Sequence, residues 1–120
     1  MEIQMGTAAS LLVLISDFPC LRGRGLMRQV VGISERALNA NVARDSDTKL
    51  SFEQNKRAQQ VLEILAQATK AFGSEAAANA WMTQKAVGLD NGVPLELMLT
   101  PEGCLALHEY LVRVEYGVYC

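Results

Sequence analysis

The stretch from Leu50 to Gly73 constrains the fold more than any other part of the chain. Ser51 and Gln54 stand three apart directly before a run in which Ala58, Val61, Leu62, Leu65, Ala68 and Phe72 recur at threes and fours, with Lys56, Arg57, Gln60, Glu63, Gln67 and Lys70 between them. A serine that accepts from the exposed amides, paired with a glutamine that reaches back, closes a capping box. The spacing that follows puts the apolar side chains on one stripe of a helix. Gly73 then supplies the left-handed residue that stops it. A helix of this length with one apolar stripe needs other elements to cover the stripe. Composition says that these are helices too. Half of the 120 residues are hydrophobic and a fifth are charged, enough for a core, but only seven are aromatic. That balance suits an all-α fold better than a sheet protein.

Downstream, Ser74 caps a second helix whose Ala77, Ala78 and Trp81 make one face. Lys85 to Val93, with Gly88 and Asp90-Asn91-Gly92, reads as a turn-rich loop ending at Pro94. Pro94 to Leu99 is a short helix with proline at its first position. Thr100-Pro101-Glu102 starts the last helix, with threonine as the cap, proline at N1 and an acid at the positive end of the dipole. This helix is expected to run to Tyr116. One of its stripes holds Cys104, Leu107, Leu111 and Val114, a neighbouring one holds Leu105, His108 and Val112, and Gly117 releases a short tail. Upstream, Ala8 to Ile15 fits a short buried helix or a strand. Leu26 to Val31, Gly32 and Glu35 to Val42 read as helix, glycine turn and helix with Ser34 as the second cap, and Arg44 to Lys49 is a polar loop.

The net charge of −2 excludes a uniformly basic nucleic-acid coat, yet the charge is uneven. Residues 1–57 carry 8 basic and 6 acidic side chains, residues 58–120 carry 3 and 7, so the two halves suit different partners. Cys20, Cys104 and Cys120 are widely spaced with no C-x-x-C pair, which fits a reducing cytoplasm and gives no metal site. The apolar stretch at 8–15 lacks a basic leader and is too short to span a bilayer, so neither signal peptide nor membrane anchor is expected. Gly23-Arg24-Gly25 has Arg28 where a dinucleotide fingerprint needs its third glycine. His108 has no partner at metal-ligand spacing, and no nucleophile elbow or paired-carboxylate signature occurs. The expectation is a protein without catalysis, cofactor or metal.

The glycine turn at 32 makes a partial helix-turn-helix. A Ser cap and the apolar Leu38 are what the motif needs, but Arg28 and Asn41 stand where a small and an apolar residue are usual. The candidate DNA-contacting residues are Arg22, Arg24, Arg28, Ser34, Arg36 and Asn39. Arg44 adds to the arginine cluster, and Glu35 near the helix start opposes a phosphate.

The last third holds an ordered series: Phe72-Gly73, Ala78-x-x-Trp81-Met82, Leu89, Gly92, Pro94-Leu95-Glu96-Leu97, Thr100-Pro101-Glu102-Gly103, and Leu111-x-Arg113-x-Glu115-Tyr116-Gly117-Val118-Tyr119. It resembles the toxin-binding domain of the Xre/MbcA/ParS antitoxins, which are paired with RES-domain toxins. The likeness continues more loosely through Gly32-Ile33-Ser34-Glu35-Arg36-x-Leu38 and Leu50-Ser51-x-Glu53. Gln84 stands where many relatives have proline, Asp90-Asn91 where they have a Gly-Gly pair, and Leu38 to Ala43 holds less arginine than their recognition helix.

The resemblance implies an all-α antitoxin of a type II toxin-antitoxin system. An N-terminal Xre-like helix-turn-helix or dimerisation region, 1–50, is joined by a long helix to a small helical toxin-binding domain, the two together being 51–120. It implies a RES toxin that degrades NAD or transfers its ADP-ribose, operator DNA as a second partner through autorepression, and a homodimer or a higher hetero-oligomer with toxin. The expected toxin-binding residues are Glu109, Arg113, Glu115, Tyr116, Gly117, Val118, Tyr119 and Cys120. An acidic, helix-ending plug is a sensible competitor for a cleft that binds a pyrophosphate. The other reading open at this point is a stand-alone helix-turn-helix transcriptional regulator.

Overall fold

A computed structural model of the chain describes residues 6–22, 25–86, 89 and 92–116. These form seven α-helices and one 3-10 turn, and no β-strand occurs among the described residues. The protein is all-α, as its composition and periodicity predict. It divides into two compact units, Met1–Leu62 and Glu63–Cys120, so the division falls inside the long helix.

In the first unit the ambiguous apolar stretch is a helix, α1 (Ala8–Asp17). Thr7 decides this locally, because its Oγ1 accepts the Ser10 N–H at 3.2 Å and so satisfies one of the donors a helix start leaves open. Leu11, Leu14 and Ile15 are then on one buried face. Phe18 and Leu21, the latter in the 3-10 turn Pro19–Leu21, extend the core. Helix α2 (Leu26–Val30) buries Met27 and Val30 and ends at Gly32, whose φ of +100° a β-carbon would oppose. Ser34 Oγ accepts the Ala37 N–H at 3.1 Å to start α3 (Glu35–Arg44), which packs against α1 and buries Leu38 completely. The polar loop after it is tied down. Asp45 Oδ1 accepts the Asp47 N–H, the Ala8 N–H donates to Thr48 O, and the Leu50 N–H donates to Gly6 O, closing an isolated bridge between Thr7 and Lys49.

Helix α4 (Phe52–Phe72) opens with the expected capping box: the Gln54 N–H donates to Ser51 Oγ at 3.2 Å and the Ser51 N–H to Gln54 Oε1 at 3.0 Å. Ala58, Val61, Leu62, Leu65 and Ala68 are buried as the stripe requires, and Ile64 joins them. Gly73, at φ +94°, ends the helix. In the second unit Ser74 Oγ accepts the Ala77 N–H at 3.0 Å and begins α5 (Glu75–Met82). A bridge between Ala86 and Gly92 brackets the loop. Helix α6 (Pro94–Leu97) starts on its proline, and α7 (Pro101–Glu115) is capped by Thr100 Oγ1, which accepts the Gly103 N–H at 3.0 Å. The core of this unit is Leu65, Ala68, Ala78, Met82, Met98, Cys104, Leu107 and Leu111.

Candidate toxin-binding surface

The second unit is held together by α5, α6 and α7 around the end of α4. Gly103 permits the closest approach in it. A β-carbon there would overlap the carbonyl oxygen of Leu97 and lie 2.7 Å and 2.9 Å from that residue's carbonyl carbon and Cα. The glycine therefore lets the first turn of α7 lie directly on the last turn of α6, and it sets the direction in which α7 leaves. Cys104 follows it into the core, where its Sγ–H donates to Met98 O at 3.5 Å and burial pushes its thiol pKa up.

Two side-chain pairs and an aromatic series fix α7 laterally. His108 Nδ1 lies 2.9 Å from Gln67 Oε1, and Lys70 Nζ lies 3.1 Å from Glu115 Oε2, so two successive turns of α4 reach the middle and the end of α7. Phe72 and Trp81 have ring centroids 5.1 Å apart, and Trp81 and Tyr110 lie 5.7 Å apart with planes only 5° from parallel. Trp81 is half-buried, whereas its neighbour Met82 is fully buried. The sequence marks the tryptophan as the anchor of α5, but the deepest position goes to the methionine, whose flexible side chain fills the interior while the indole stacks at its edge.

The residues expected to meet a toxin are placed unequally. Glu109, Arg113 and Tyr116 all lie exposed on α7 or at its end. At 100° per residue the three fall within about 60° of one another around the helix axis. Tyr116, the C-cap, is 76% exposed. Glu115 points the other way, half-buried against Lys70. Gly117, Val118, Tyr119 and Cys120 lie outside the described residues. Leu105, 60% exposed, lies on this side of α7 as well, and the sequence places it on a stripe without marking it as a contact. The signal was the second apolar stripe of α7, which the core leaves uncovered.

In the first unit, the glycine turn and α3 have the expected form, and the candidate DNA contacts divide by what they already do. Ser34 is used as the cap of α3. Arg22 Nε lies 3.8 Å from Glu35 Oε1. Asn39 Nδ2 donates to Glu35 O at 3.1 Å. Arg28 and Arg36 are exposed, and Arg24 lies outside the described residues. Arg28 also borders an open depression of about 210 Å³ with Leu21, Met27, Ser34 and Glu35. Cys20 is half-buried nearby in sequence, and its loss of solvent pushes the thiol pKa up to about 11 against a smaller opposing backbone hydrogen bond. Among the described residues no group of three or more His, Cys, Asp or Glu is placed to hold a metal, and no helix is long and apolar enough to cross a membrane.

No curated protein matches the chain. Residues 67–117, from the last turns of α4 past the end of α7, match the family model of the antitoxin Xre/MbcA/ParS C-terminal toxin-binding domain. That span takes in the caps at Ser74 and Thr100, the close contact of Gly103 on Leu97 and the aromatic series of Phe72, Trp81 and Tyr110. Over this C-terminal part the chain is thus similar to the toxin-binding domain of the Xre/MbcA/ParS antitoxins.

Proposed function

We propose that this antitoxin neutralises a RES-domain toxin that consumes NAD, by laying the segment from Glu109 to Cys120 over the mouth of the NAD cleft. The observation that carries the reading is that the family match, 67–117, takes in a helix whose C-cap, Tyr116, is an aromatic residue 76% exposed. Exposed aromatics at a chain's rim are the residues that fill desolvated pockets and dominate interface energy. The acidic excess of residues 58–120 adds to this, because a cleft that holds a pyrophosphate is electropositive. Glu115 enters through its pairing with Lys70, as the residue that holds the end of α7 in place, and Tyr116 is the contact itself. The partner supplies the chemistry.

Deleting Gly117 to Cys120 and co-expressing the shortened chain with a RES toxin tests the reading. The expected result is continued NAD loss and growth arrest. A shortened chain that still protects NAD refutes the cleft cover. Residues 1–50 serve in this proposal as a DNA-binding and dimerising region that autoregulates the operon, with toxin and antitoxin in a higher hetero-oligomer. The helix, glycine turn and capped helix at 26–44 support that part. They equally support a regulator acting alone. Salt separates the two activities, because an operator complex made by arginines on phosphates weakens steeply between 50 and 200 mM salt, and a toxin complex with an apolar centre weakens little.

A further inference from the structure

Helix α7 is apolar on two opposite faces, and the fold uses only one. Gly103, Cys104, Leu107 and Leu111 are buried. Leu105 is 60% exposed, Val112 is half-buried and Tyr116 is 76% exposed. With 100° per residue, positions 105, 112 and 116 fall within about 40° of one another on the side away from the core, and they span roughly 16 Å of helix. A surface helix ordinarily carries charge opposite its buried stripe. Here a leucine, a valine and a tyrosine stand at i, i+7 and i+11, the spacing with which an amphipathic helix presents anchors to a groove.

We infer that the outward stripe of α7, Leu105, Val112 and Tyr116, is a docking face that seats lengthwise in an apolar groove on the toxin, beginning at Leu105 before the segment that covers the cleft and running into it through Val112 and Tyr116. The inference rests on the toxin reading above. The whole stripe lies within the residues that match a toxin-binding domain, so the occupant of the face is the toxin. Its two ends also differ in chemistry. Leu105 is purely apolar, and Tyr116 brings a hydroxyl to the end that adjoins the tail, so the groove is apolar at its start and offers a polar partner where it meets the cleft. Glu109 and His108 flank the stripe and keep it soluble when empty.

The full-length chain and a purified cognate RES toxin, titrated by calorimetry with NAD turnover followed in parallel, test it. Leu105→Glu is expected to weaken association at least a hundredfold, and Leu105→Ala at least tenfold, with the helical circular dichroism and the thermal midpoint of the free antitoxin unchanged. Val112→Ala is expected to act in the same direction. Toxin binding that is unaffected by both Leu105 variants overturns the docking face while leaving the cleft cover standing. Failure of the unaltered chain to bind the toxin overturns both. Self-association of the free chain that Leu105→Glu abolishes, with toxin affinity preserved, assigns the face to a second copy and overturns the inference.

Discussion

Gly103→Ala is the most informative single change, because two opposing effects are both large there. Glycine inside a helix costs about 1 kcal/mol relative to alanine, so at an ordinary helical position this substitution raises stability. At 103 the added carbon meets backbone on all three nearest approaches, the oxygen, carbon and Cα of Leu97, and no flexible side chain is there to turn aside. Relief requires α6 and α7 to part by about 1 Å, against the packing density of a protein interior. Such overpacking costs about 1–3 kcal/mol or more, and the shift also strains the Thr100 cap on the Gly103 N–H. The steric term wins, with a net loss of about 2 kcal/mol. For a domain of this size that lowers the thermal midpoint by roughly 8–16 °C. Thermal unfolding followed at 222 nm is the assay, with Ala76→Gly on the exposed side of α5 as the control that reports helix propensity alone. A Gly103→Ala protein as stable as the parent, or more stable, refutes the close α6–α7 contact as the feature that aims α7.

Three further outcomes follow from the geometry. Ser51→Ala removes one half of a reciprocal cap and is expected to cost about 1 kcal/mol in urea unfolding, and Gln54→Ala is expected to cost much less when added to it than it costs alone. Trp81→Ala deletes a half-buried ring stacked between Phe72 and Tyr110, so its cost is expected near 2–3 kcal/mol, below the range for fully enclosed aromatics. Met82→Ala is expected to cost at least as much, and a much cheaper Met82→Ala would contradict the burial order. Cys20, with its thiol pKa pushed up to about 11, is expected to react with a thiolate-directed reagent at pH 8 roughly a hundred times more slowly than an exposed cysteine. Because the folded state holds the Cys20 proton more tightly than the unfolded chain, its contribution to stability is intact below about pH 9 and is lost as pH rises toward 11. Stability that rises across that interval would contradict it.

The features that the sequence made legible are those settled within one or two turns of chain. Ser34, Ser51, Ser74 and Thr100 each cap the helix that follows, Gly32 and Gly73 each take the positive φ that ends one, and Pro94 and Pro101 each open the next. Hydrogen bonds three residues apart and a steric rule at one Cα require no knowledge of distant chain. The stretch at 8–15 was ambiguous because an unbroken apolar run lacks a period, and the Thr7 cap with α3 packed alongside resolved it.

What only the tertiary structure decided is which apolar surfaces find a partner. Both stripes of α7 are equally periodic, and the core accepts Cys104, Leu107 and Leu111 while leaving Leu105 and Tyr116 exposed. Trp81 and Met82 are adjacent on α5, and the methionine is the one enclosed. Arg113 and Glu115 both lie in the last turn of α7, yet Lys70 draws Glu115 inward. Hydrophobicity has no direction of its own, so the choice among apolar faces is made by the volume and shape of the elements brought alongside, and residues far apart in sequence supply those. Gly103 is the clearest case: the chain shows a glycine in a first helical turn, and its necessity comes from the backbone of Leu97 lying against it.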